Sequence, residues 1–345
     1  MHILVIFTGG TIGSTIQDGY ISTDHKKKYK LIEQFKEQTD QDVTFDVLEP
    51  YTVLSENMTG EYLSKLGACL ESVDLSVYDG VIMTHGTDTL QYTAAALSYA
   101  FPDIEKPVLL VSSQYVLDHL DANGGANFAA AVTFVQEKAG TGIYVAYRNA
   151  DGVVYFHKGN RVLPHLPYSD EVYSVKGQYY ASIQNAHVVK NEGYIDFEEE
   201  TEKLALHMPQ NWNSGILRIA PFPGMEYPQP DWINIRAVLL DTYHSGTLCS
   251  NTPNMTTFFE EAAKHKIPVF VTGGDVNGVD YESVKWWKEL QVVTLPAASP
   301  IAMYMKLWMV IDAVNEMSED SYLLVRRWME TSVNGDFVTG VHLST

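Results

Sequence analysis

The sequence predicts two α/β domains, a larger N-terminal one built on a parallel sheet and a smaller C-terminal one. Short apolar runs alternate with helical patterns, which is typical of βαβ units whose strands are buried on both faces. The alternation stops in a polar, acidic stretch over residues 190–213 and then restarts. The length of 345 residues also exceeds what one hydrophobic core usually supports.

The first domain is predicted over residues 1–189. It opens with the apolar run HILVIF, which ends in the turn TGGTIG, and further strands are predicted at GVIM, PVLLV and GIYVAY. Helical patterns separate these strands, one from Leu90 to Tyr99 and one over GGANFAAAVTFVQEKAG. This alternation places the strands in one parallel sheet.

Residues 190–213 are predicted to form a linker because they are polar and show little periodicity. The second domain, residues 214–345, restarts with the apolar runs GILRIA, RAVLLD and IPVFV, each typical of a buried strand. Helices are predicted over MTTFFEEAAKHK and over SPIAMYMKLWMVIDAV, of which the second carries an apolar stripe.

The chain is strongly acidic, with a formal net charge of −20. Such a surface repels phosphate backbones and anionic lipids, so neither nucleic acid nor a membrane is expected as a partner. No run of about 18 apolar residues occurs, and no secretory signal is recognised. The two cysteines, Cys69 and Cys249, form no CxxC motif. Together these features predict a cytoplasmic location.

The first candidate site is the turn after the opening strand, Thr8-Gly9-Gly10-Thr11. Ligands of open parallel sheets bind beyond the carboxyl ends of the strands. Two glycines let backbone amides approach a ligand, and Thr11 has a hydroxyl that could attack it. A dinucleotide-binding GxGxxG loop is excluded, because Thr8 stands where its first glycine is required. A plain strand-to-helix turn stays open as an alternative.

The second candidate site is the turn His85-Gly86-Thr87-Asp88-Thr89. Thr87 offers a second hydroxyl, and Asp88 could accept a hydrogen bond from a substrate α-ammonium or orient a base. The alternative is helix capping, since threonine and aspartate are favoured just before a helix. No HExxH motif, Cys/His cluster, GxSxG elbow or Walker loop occurs, so neither a metal nor a cofactor is expected.

TGGTIG together with HGTDTLQYTAAAL resembles the double signature of the bacterial-type L-asparaginase family. SENMT, KPVLLVSSQ, DANGGANFAAAV and KGNRV are similar to further segments of that family, and PFPGM and SPIAMYMKL match more loosely. The spacing around DGYIS resembles the cytosolic type I branch. The resemblance implies two α/β domains, the first flavodoxin-like, in a homo-oligomer that is either a dimer or a tetramer. It also implies a small-molecule substrate, L-asparagine with L-glutamine as a secondary substrate, cut to L-aspartate and ammonia.

The resemblance also implies a role for each matching residue. Thr11 is similar to the threonine nucleophile, and Tyr20 to the mobile-loop tyrosine that assists it. Thr87 is similar to the threonine that positions water, and Asp88 to the residue that holds the substrate α-amino group. Ser55 and Glu56 are similar to residues that contact the α-carboxylate end and the amine of the substrate. Ser113 is similar to a residue that lies near the amide to be cut.

One position departs from the family's pattern. The motif that begins GNR continues in the family to a lysine, which completes a Thr-Lys-Asp relay, and Pro164 stands at that position. Losing a relay base costs about 10²–10⁴-fold in rate. Lys158 lies too far back along an extended strand to replace it, whereas His165 and Lys176 stay open as replacements.

Two functions therefore compete. One is an L-asparaginase-like amidohydrolase with a threonine nucleophile, and the other is a catalytically impaired relative that binds an amino acid without efficient turnover. A component of a tRNA-dependent amidotransferase shares the same signatures. The acidic balance argues against this third function, since tRNA binding needs a basic face.

Overall fold

The computed structural model describes residues 1–17, 20–23, 29–196, 206–274, 281–314 and 319–338. Within these ranges the chain forms an eight-stranded sheet, a four-stranded sheet and a two-stranded hairpin. The larger sheet draws its strands from residues 2–190 and the smaller one from residues 216–294. The predicted fold class, a larger and a smaller α/β domain, is confirmed.

The first domain contains the following strands: β1 (His2–Phe7), β2 (Ser14–Gln17), β3 (Tyr20–Thr23), β4 (Thr44–Leu48), β5 (Gly80–Thr84), β6 (Pro107–Val111), β7 (Gly142–Arg148), β8 (Val154–Lys158), β9 (Ala181–Gln184) and β10 (His187–Lys190). Its helices are α1 (Lys30–Gln38), α2 (Gly60–Glu71), α3 (Leu90–Ala100) and α4 (Gly124–Gln136).

Five parallel strands form one side of the larger sheet, beginning at the edge strand β4, in the spatial order β4-β1-β5-β6-β7. Apart from the separate hairpin β2–β3, this is the 2-1-3-4-5 strand order of flavodoxin-like sheets. In such a sheet the order in which strands are added reverses between the first and third strands, here the parallel neighbours β1 and β5. The crevice at their carboxyl ends is where a ligand is expected.

Three antiparallel strands extend the sheet beyond β7, which the sequence analysis does not predict. The connection from β7 to β8 covers residues 149–153 and closes through a hydrogen bond of 3.0 Å from the Asn149 amide to the Val153 carbonyl. A parallel crossover needs about a dozen residues or more, so a connection this short returns the chain as a hairpin.

The strand β1 shows why the inner parallel strands have unbroken apolar sequences. Leu4 and Ile6 pack on one side of the sheet with α2, α3 and residues of the second domain. Ile3, Val5 and Phe7 pack on the other side with α1 and α4. Because successive side chains of a strand point to opposite faces, a sheet covered on both faces needs apolar residues at every position.

The second domain contains the parallel strands β11 (Ile216–Ile219), β12 (Ala237–Leu240), β13 (Val269–Val271) and β14 (Val293–Thr294). Its helices are α5 (Met255–Lys264), α6 (Lys285–Glu289), α7 (Pro300–Asp312) and α8 (Glu319–Glu330). The helix α7 begins after Ser299, whose hydroxyl accepts a hydrogen bond from the Ala302 amide and caps the helix. It packs against α3 of the first domain.

A buried ion pair of the second domain is hydrogen-bonded to the first domain through Tyr99. Lys306 on α7 and Asp336 are both completely buried, with 2.9 Å between the Nζ and Oδ2 atoms. The hydroxyl of Tyr99, at the end of α3, donates to the same carboxylate at 3.0 Å. Burial lowers the pKa of Lys306, while the adjacent carboxylate favours the charged form. The segment that carries Asp336, residues 331–338, is called the C-terminal turn below.

Both cysteines, Cys69 and Cys249, are unpaired and half-buried. Within the part of the chain that the structure describes, no helix combines the length and apolar character that a membrane span requires.

Candidate active site

Three segments meet at the carboxyl ends of β1 and β5. They are the turn Thr8–Thr11, the stretch 53–56 and the turn His85–Thr89. Phe7 and Thr84, the last residues of β1 and β5, lie side by side in the sheet, so the two turns start from neighbouring positions. The Val53 amide donates to the Thr8 carbonyl at 3.0 Å, which brings in the third segment. These three segments are called the junction below.

The two turns touch through their glycines. Gly10 has a φ of +80°, and a Cβ atom built on it would lie under 3.0 Å from the Gly86 amide nitrogen. No side chain fits at position 10, and the left-handed backbone also favours glycine there. Thr11 and Thr87 each follow one of these glycines, so the structure brings the two candidate hydroxyl residues to the same junction.

Ser55 joins the junction from the third side. A Cβ atom on Gly86 would lie under 3.0 Å from the Ser55 hydroxyl oxygen. That hydroxyl donates to the Asp88 carboxylate at 3.2 Å, and the Thr89 hydroxyl donates to the Ser55 carbonyl at 2.9 Å. Ser55 is buried, whereas Asp88 and the neighbouring Glu56 are exposed. The carboxylate therefore lies at the solvent side of the junction and its serine partner beneath it.

His85 supports the second turn. Its ring is buried, with Nδ1 at 2.8 Å from the Gly86 carbonyl and Nε2 at 2.8 Å from the Thr93 hydroxyl. Burial lowers its pKa to about 4. A neutral ring with both nitrogens engaged fixes the turn to the helix α3 and leaves no free base.

Ser113 lies in the loop after β6 and is fully buried. Its hydroxyl donates to the Tyr115 carbonyl at 2.6 Å and accepts from the Gly124 amide at 3.1 Å. The hydroxyl is thus engaged within its own loop and with the start of α4. The structure does not turn it outward to the solvent.

Tyr20 is the first residue of β3, in the hairpin that follows the turn of Thr11. Its side chain lies outside the part of the structure that is described. The predicted assistance to Thr11 stays a prediction.

Pro164 lies in a hairpin over residues 162–174 and is exposed. The Leu163 amide donates to the Tyr173 carbonyl at 2.9 Å. The far end of the hairpin returns to the carboxyl edge of the sheet, where the Tyr147 hydroxyl donates to Asp170 at 2.8 Å. Position 164 therefore belongs to a loop that reaches the same edge as the junction.

Of three basic residues near Pro164, the sequence analysis excludes Lys158 as a relay base and leaves His165 and Lys176 open. Lys158 pairs with Tyr144 near the amino end of β7, at the edge opposite to the junction. His165 has its Nε2 atom 3.1 Å from the Ser169 carbonyl and its ring edge-on to Tyr147. Lys176 is half-buried in the turn before β9, with a φ of +50°. These contacts identify no replacement base.

Sequence reasoning missed the part played by the GNR motif, residues 159–161. Asn160 and Arg161 are both buried. The Asn160 side-chain amide donates to the Asn334 carbonyl at 2.8 Å, and the Arg161 Nε donates to the Gly335 carbonyl at 2.7 Å. The motif thus binds the C-terminal turn. The sequence marks this motif only as a polar run directly after a strand. Such a run does not reveal that its hydrogen-bond partner lies 174 residues further along the chain.

Among the described residues, no group of three or more His, Cys, Asp and Glu side chains is arranged to hold a metal ion. The junction offers hydroxyls, a carboxylate and glycine-rich backbone. Such groups can carry out nucleophilic attack and bind an ammonium group.

Comparisons with curated proteins and solved structures cover almost the whole chain. The chain is 26% identical over 345 residues to a glutamyl-tRNA(Gln) amidotransferase subunit of Methanobrevibacter smithii, covering 97% of the chain and 77% of that protein. It is 24% identical over 356 residues to the equivalent protein of Metallosphaera sedula, covering 97% and 76%.

Two L-asparaginases have the same fold. The thermostable enzyme from Thermococcus kodakarensis superposes with a TM-score of 0.76 at 23% identity, covering 99% of this chain and 100% of that one. L-asparaginase I from Vibrio cholerae superposes with a TM-score of 0.75 at 20% identity, covering 98% and 99%.

The sequence profile described as "Asparaginase, N-terminal" matches residues 2–189. This range includes the whole eight-stranded sheet except its last residue, together with all three segments of the junction. It also covers more than half of the chain. The protein therefore belongs to the asparaginase family.

Proposed function

We propose that the protein is an amidohydrolase that converts L-asparagine to L-aspartate and ammonia, with L-glutamine as a secondary substrate. The observation that supports this proposal best is the backbone contact between Gly10 and Gly86. It brings Thr11 and Thr87 to one junction beside Asp88, and the junction supplies hydroxyls for attack and glycine-rich backbone whose amides can hold an oxyanion. An amide needs a nucleophile, a route for protons and stabilisation of the oxyanion.

In the proposed reaction the Thr11 oxygen attacks the side-chain carbonyl carbon of the substrate. The hydroxyl proton passes to the amide nitrogen, the C–N bond breaks and ammonia leaves. Tyr20 assists the removal of the proton. Water oriented by Thr87 then attacks the ester on Thr11, which releases L-aspartate and restores the hydroxyl. No cofactor or metal enters these steps.

Recognition of the substrate is assigned to three residues of the junction and to Ser113 in the loop after β6. Asp88 binds the α-ammonium group, and its exposed position supports this role. Ser55 and Glu56 contact the α-carboxylate end and the amine. Ser113 lies near the amide that is cut, which requires the bond from its hydroxyl to the Tyr115 carbonyl to open.

We further propose that the protein is a cytoplasmic homo-oligomer, either a dimer or a tetramer. Exposed apolar side chains support the oligomer. Leu120, Leu166 and Tyr168 are more than half exposed in two loops on the carboxyl side of the sheet, where a second copy could cover them. The proposed division of the chain remains residues 1–189, a linker at 190–213 and residues 214–345. Part of that linker, residues 197–205, lies outside the described structure.

A second candidate function follows from the names of the curated relatives, which are amidotransferase subunits. In that role the chain would release ammonia from L-glutamine for a transfer reaction. The net charge of −20 argues against direct contact with tRNA. A marked preference for L-glutamine over L-asparagine in ammonia release by the isolated chain would favour this alternative.

The nucleophile is tested with the Thr11→Ala variant. We expect ammonia release from L-asparagine to fall by at least about 10²-fold, because the attacking oxygen is removed. L-aspartate binding, measured by isothermal titration calorimetry, should persist, since Asp88 and Ser55 are unchanged. Thr11→Ser is the matched control and should keep part of the activity. Unchanged ammonia release in Thr11→Ala would disprove the assignment.

The assignment of position 164 to the family's lysine is tested separately. We propose that Pro164→Lys raises the rate of ammonia release, by up to about 10²-fold if it restores a relay base. Pro164→Met removes the proline without adding a base and should leave the rate near that of the wild type. Equal rates for the two variants would show that the lysine position has been assigned wrongly. Binding of L-aspartate without any ammonia release from the wild type would instead indicate the impaired, amino-acid-binding relative.

A further inference from the structure

Tyr92 connects the junction to the second domain. It lies one helical turn after Asp88, and its amide donates to the Thr89 carbonyl at 3.1 Å. Its hydroxyl accepts a hydrogen bond of 3.1 Å from Nη1 of Arg218, a residue of β11. The Tyr92 ring also lies edge-on to Tyr304 of α7, with 5.9 Å between the ring centroids. The first turn of α3 is thus fixed by side chains from the other domain.

The guanidinium of Arg218 is itself held in place. Asp241 accepts from its Nε atom at 3.0 Å and lies 2.9 Å from its Nη2 atom. The Thr272 hydroxyl donates to the other carboxylate oxygen of Asp241 at 3.2 Å. The side chains of Arg218 and Asp241 are only 25% and 20% exposed. Two guanidinium nitrogens converge on one carboxylate oxygen, Oδ2 of Asp241, and this gives the arginine a defined orientation.

The two ends of α3 are attached by different contacts. Tyr92 near its start binds Arg218, and Tyr99 near its end binds Asp336. These residues are seven positions apart, which is about 10 Å along a helix. The start of the helix determines where Asp88 projects, because Asp88 lies in the turn that leads into it and its carbonyl accepts from the Gln91 side chain at 3.1 Å.

We infer that Arg218 is a positioning residue for Asp88 and acts through the hydroxyl of Tyr92. The inference rests on the proposed function, in which Asp88 binds the α-ammonium group of the substrate. The second domain thereby sets the place of the ammonium-binding carboxylate, although Arg218 itself is not assigned to touch the substrate. A displacement of about 1 Å in such a group is enough to impair binding and catalysis.

The inference predicts a selective effect on ligands that carry an α-ammonium group. L-aspartate, the proposed product, has this group, and succinate is the same dicarboxylate without it. Removing the contact between Tyr92 and Arg218 should weaken binding of L-aspartate by about tenfold, because the displaced Asp88 carboxylate loses a charge-assisted hydrogen bond to the ammonium group. Binding of succinate should stay the same, because Asp88 has no ammonium group to bind there.

The test is isothermal titration calorimetry of the full chain with L-aspartate and with succinate. Tyr92→Phe removes one hydroxyl, and Arg218→Met removes the guanidinium. Arg218→Lys keeps the positive charge beside Asp241 and should recover part of the lost affinity. Tyr99→Phe is the matched control, since it removes the same atom from the same helix. It should lower the free energy of unfolding and leave the ratio of the two affinities unchanged.

The outcomes separate this inference from the proposed function. If the wild type binds L-aspartate and Tyr92→Phe loses affinity for L-aspartate alone, the positioning role is supported. Equal losses for L-aspartate and succinate would indicate general loosening of the site and would overturn it. Unchanged affinities in both Tyr92→Phe and Arg218→Met would overturn it as well. A wild type that binds neither ligand would contradict the proposed function itself.

Discussion

Gly10 and Gly86 show how single residues define the candidate site. The backbone of one turn lies directly against the backbone of the other, and no Cβ atom fits between them. Two glycines therefore decide how close Thr11 and Thr87 come. The sequence identifies both glycine turns, because each follows an apolar strand. It does not show that the turns touch, since that depends on which strands become neighbours.

At the scale of single residues, we predict that two glycine-to-alanine substitutions change the stability of the protein in opposite directions. Gly10→Ala should lower the free energy of unfolding by about 1–3 kcal/mol, because a methyl group would overlap the Gly86 backbone and the φ is left-handed. Gly125→Ala lies in α4 with no atom within 4 Å of the new methyl group, so it should raise that free energy by about 0.5–1 kcal/mol. Urea unfolding followed by circular dichroism measures both. Loss of stability in Gly125→Ala, or none in Gly10→Ala, would contradict the described packing.

At the scale of elements, the packing of α3 against α7 is one of the contacts between the domains. The sequence predicts both helices nearly at their observed bounds, with α3 at Leu90–Ala100 and α7 at Pro300–Asp312. It predicts only an apolar stripe on α7, whereas the helix is buried along most of its length. Lys306 explains the difference, because a lysine in a helical pattern suggests a solvent-facing side until its partner Asp336 is known.

Lys306 provides the prediction that belongs to this scale. Lys306→Met leaves Asp336 buried without its cation, and we expect the free energy of unfolding to fall by about 3–5 kcal/mol. The control is Lys285→Met, which breaks a pair with Glu282 whose side chains are 73% and 89% exposed. That control should leave the stability nearly unchanged. Similar losses in the two variants, measured by urea unfolding, would show that burial of the Lys306–Asp336 pair does not make it more important for stability than a surface pair.

The strands β8, β9 and β10 mark a limit of the sequence analysis at the same scale. The sequence patterns of these strands do not indicate whether the strands run parallel or antiparallel to β7. The direction is decided by the short connection over residues 149–153 and by pairing with a strand already in place. The hairpin of Pro164 depends in turn on this arrangement, so its position could not be derived from spacing alone.

At the scale of the whole molecule, 43 acidic and 23 basic side chains give the net charge of −20. Repulsion among the excess negative charges destabilises the folded state, and dissolved salt screens this repulsion. Two α/β domains and their order could be predicted from the alternation of strands and helices alone. The contact between the domains could not, because it joins residues as distant as Asn160 and Asn334.

The charge predicts how stability responds to salt. Raising NaCl from about 10 mM to about 150 mM shortens the screening length from about 30 Å to about 8 Å. The melting temperature, measured by differential scanning fluorimetry, should therefore rise over this range. A fall would mean that favourable surface ion pairs outweigh the repulsion among the excess carboxylates.

The glycine contact at the junction also matters for engineering. The distance between the two turns is fixed by main chain, and the residues proposed to react project from it. Exchanging the side chains at positions 11, 87 and 88 should leave that framework intact. The molecule thus offers a scaffold on which other reactive groups can be installed with very few substitutions and no redesign of the backbone.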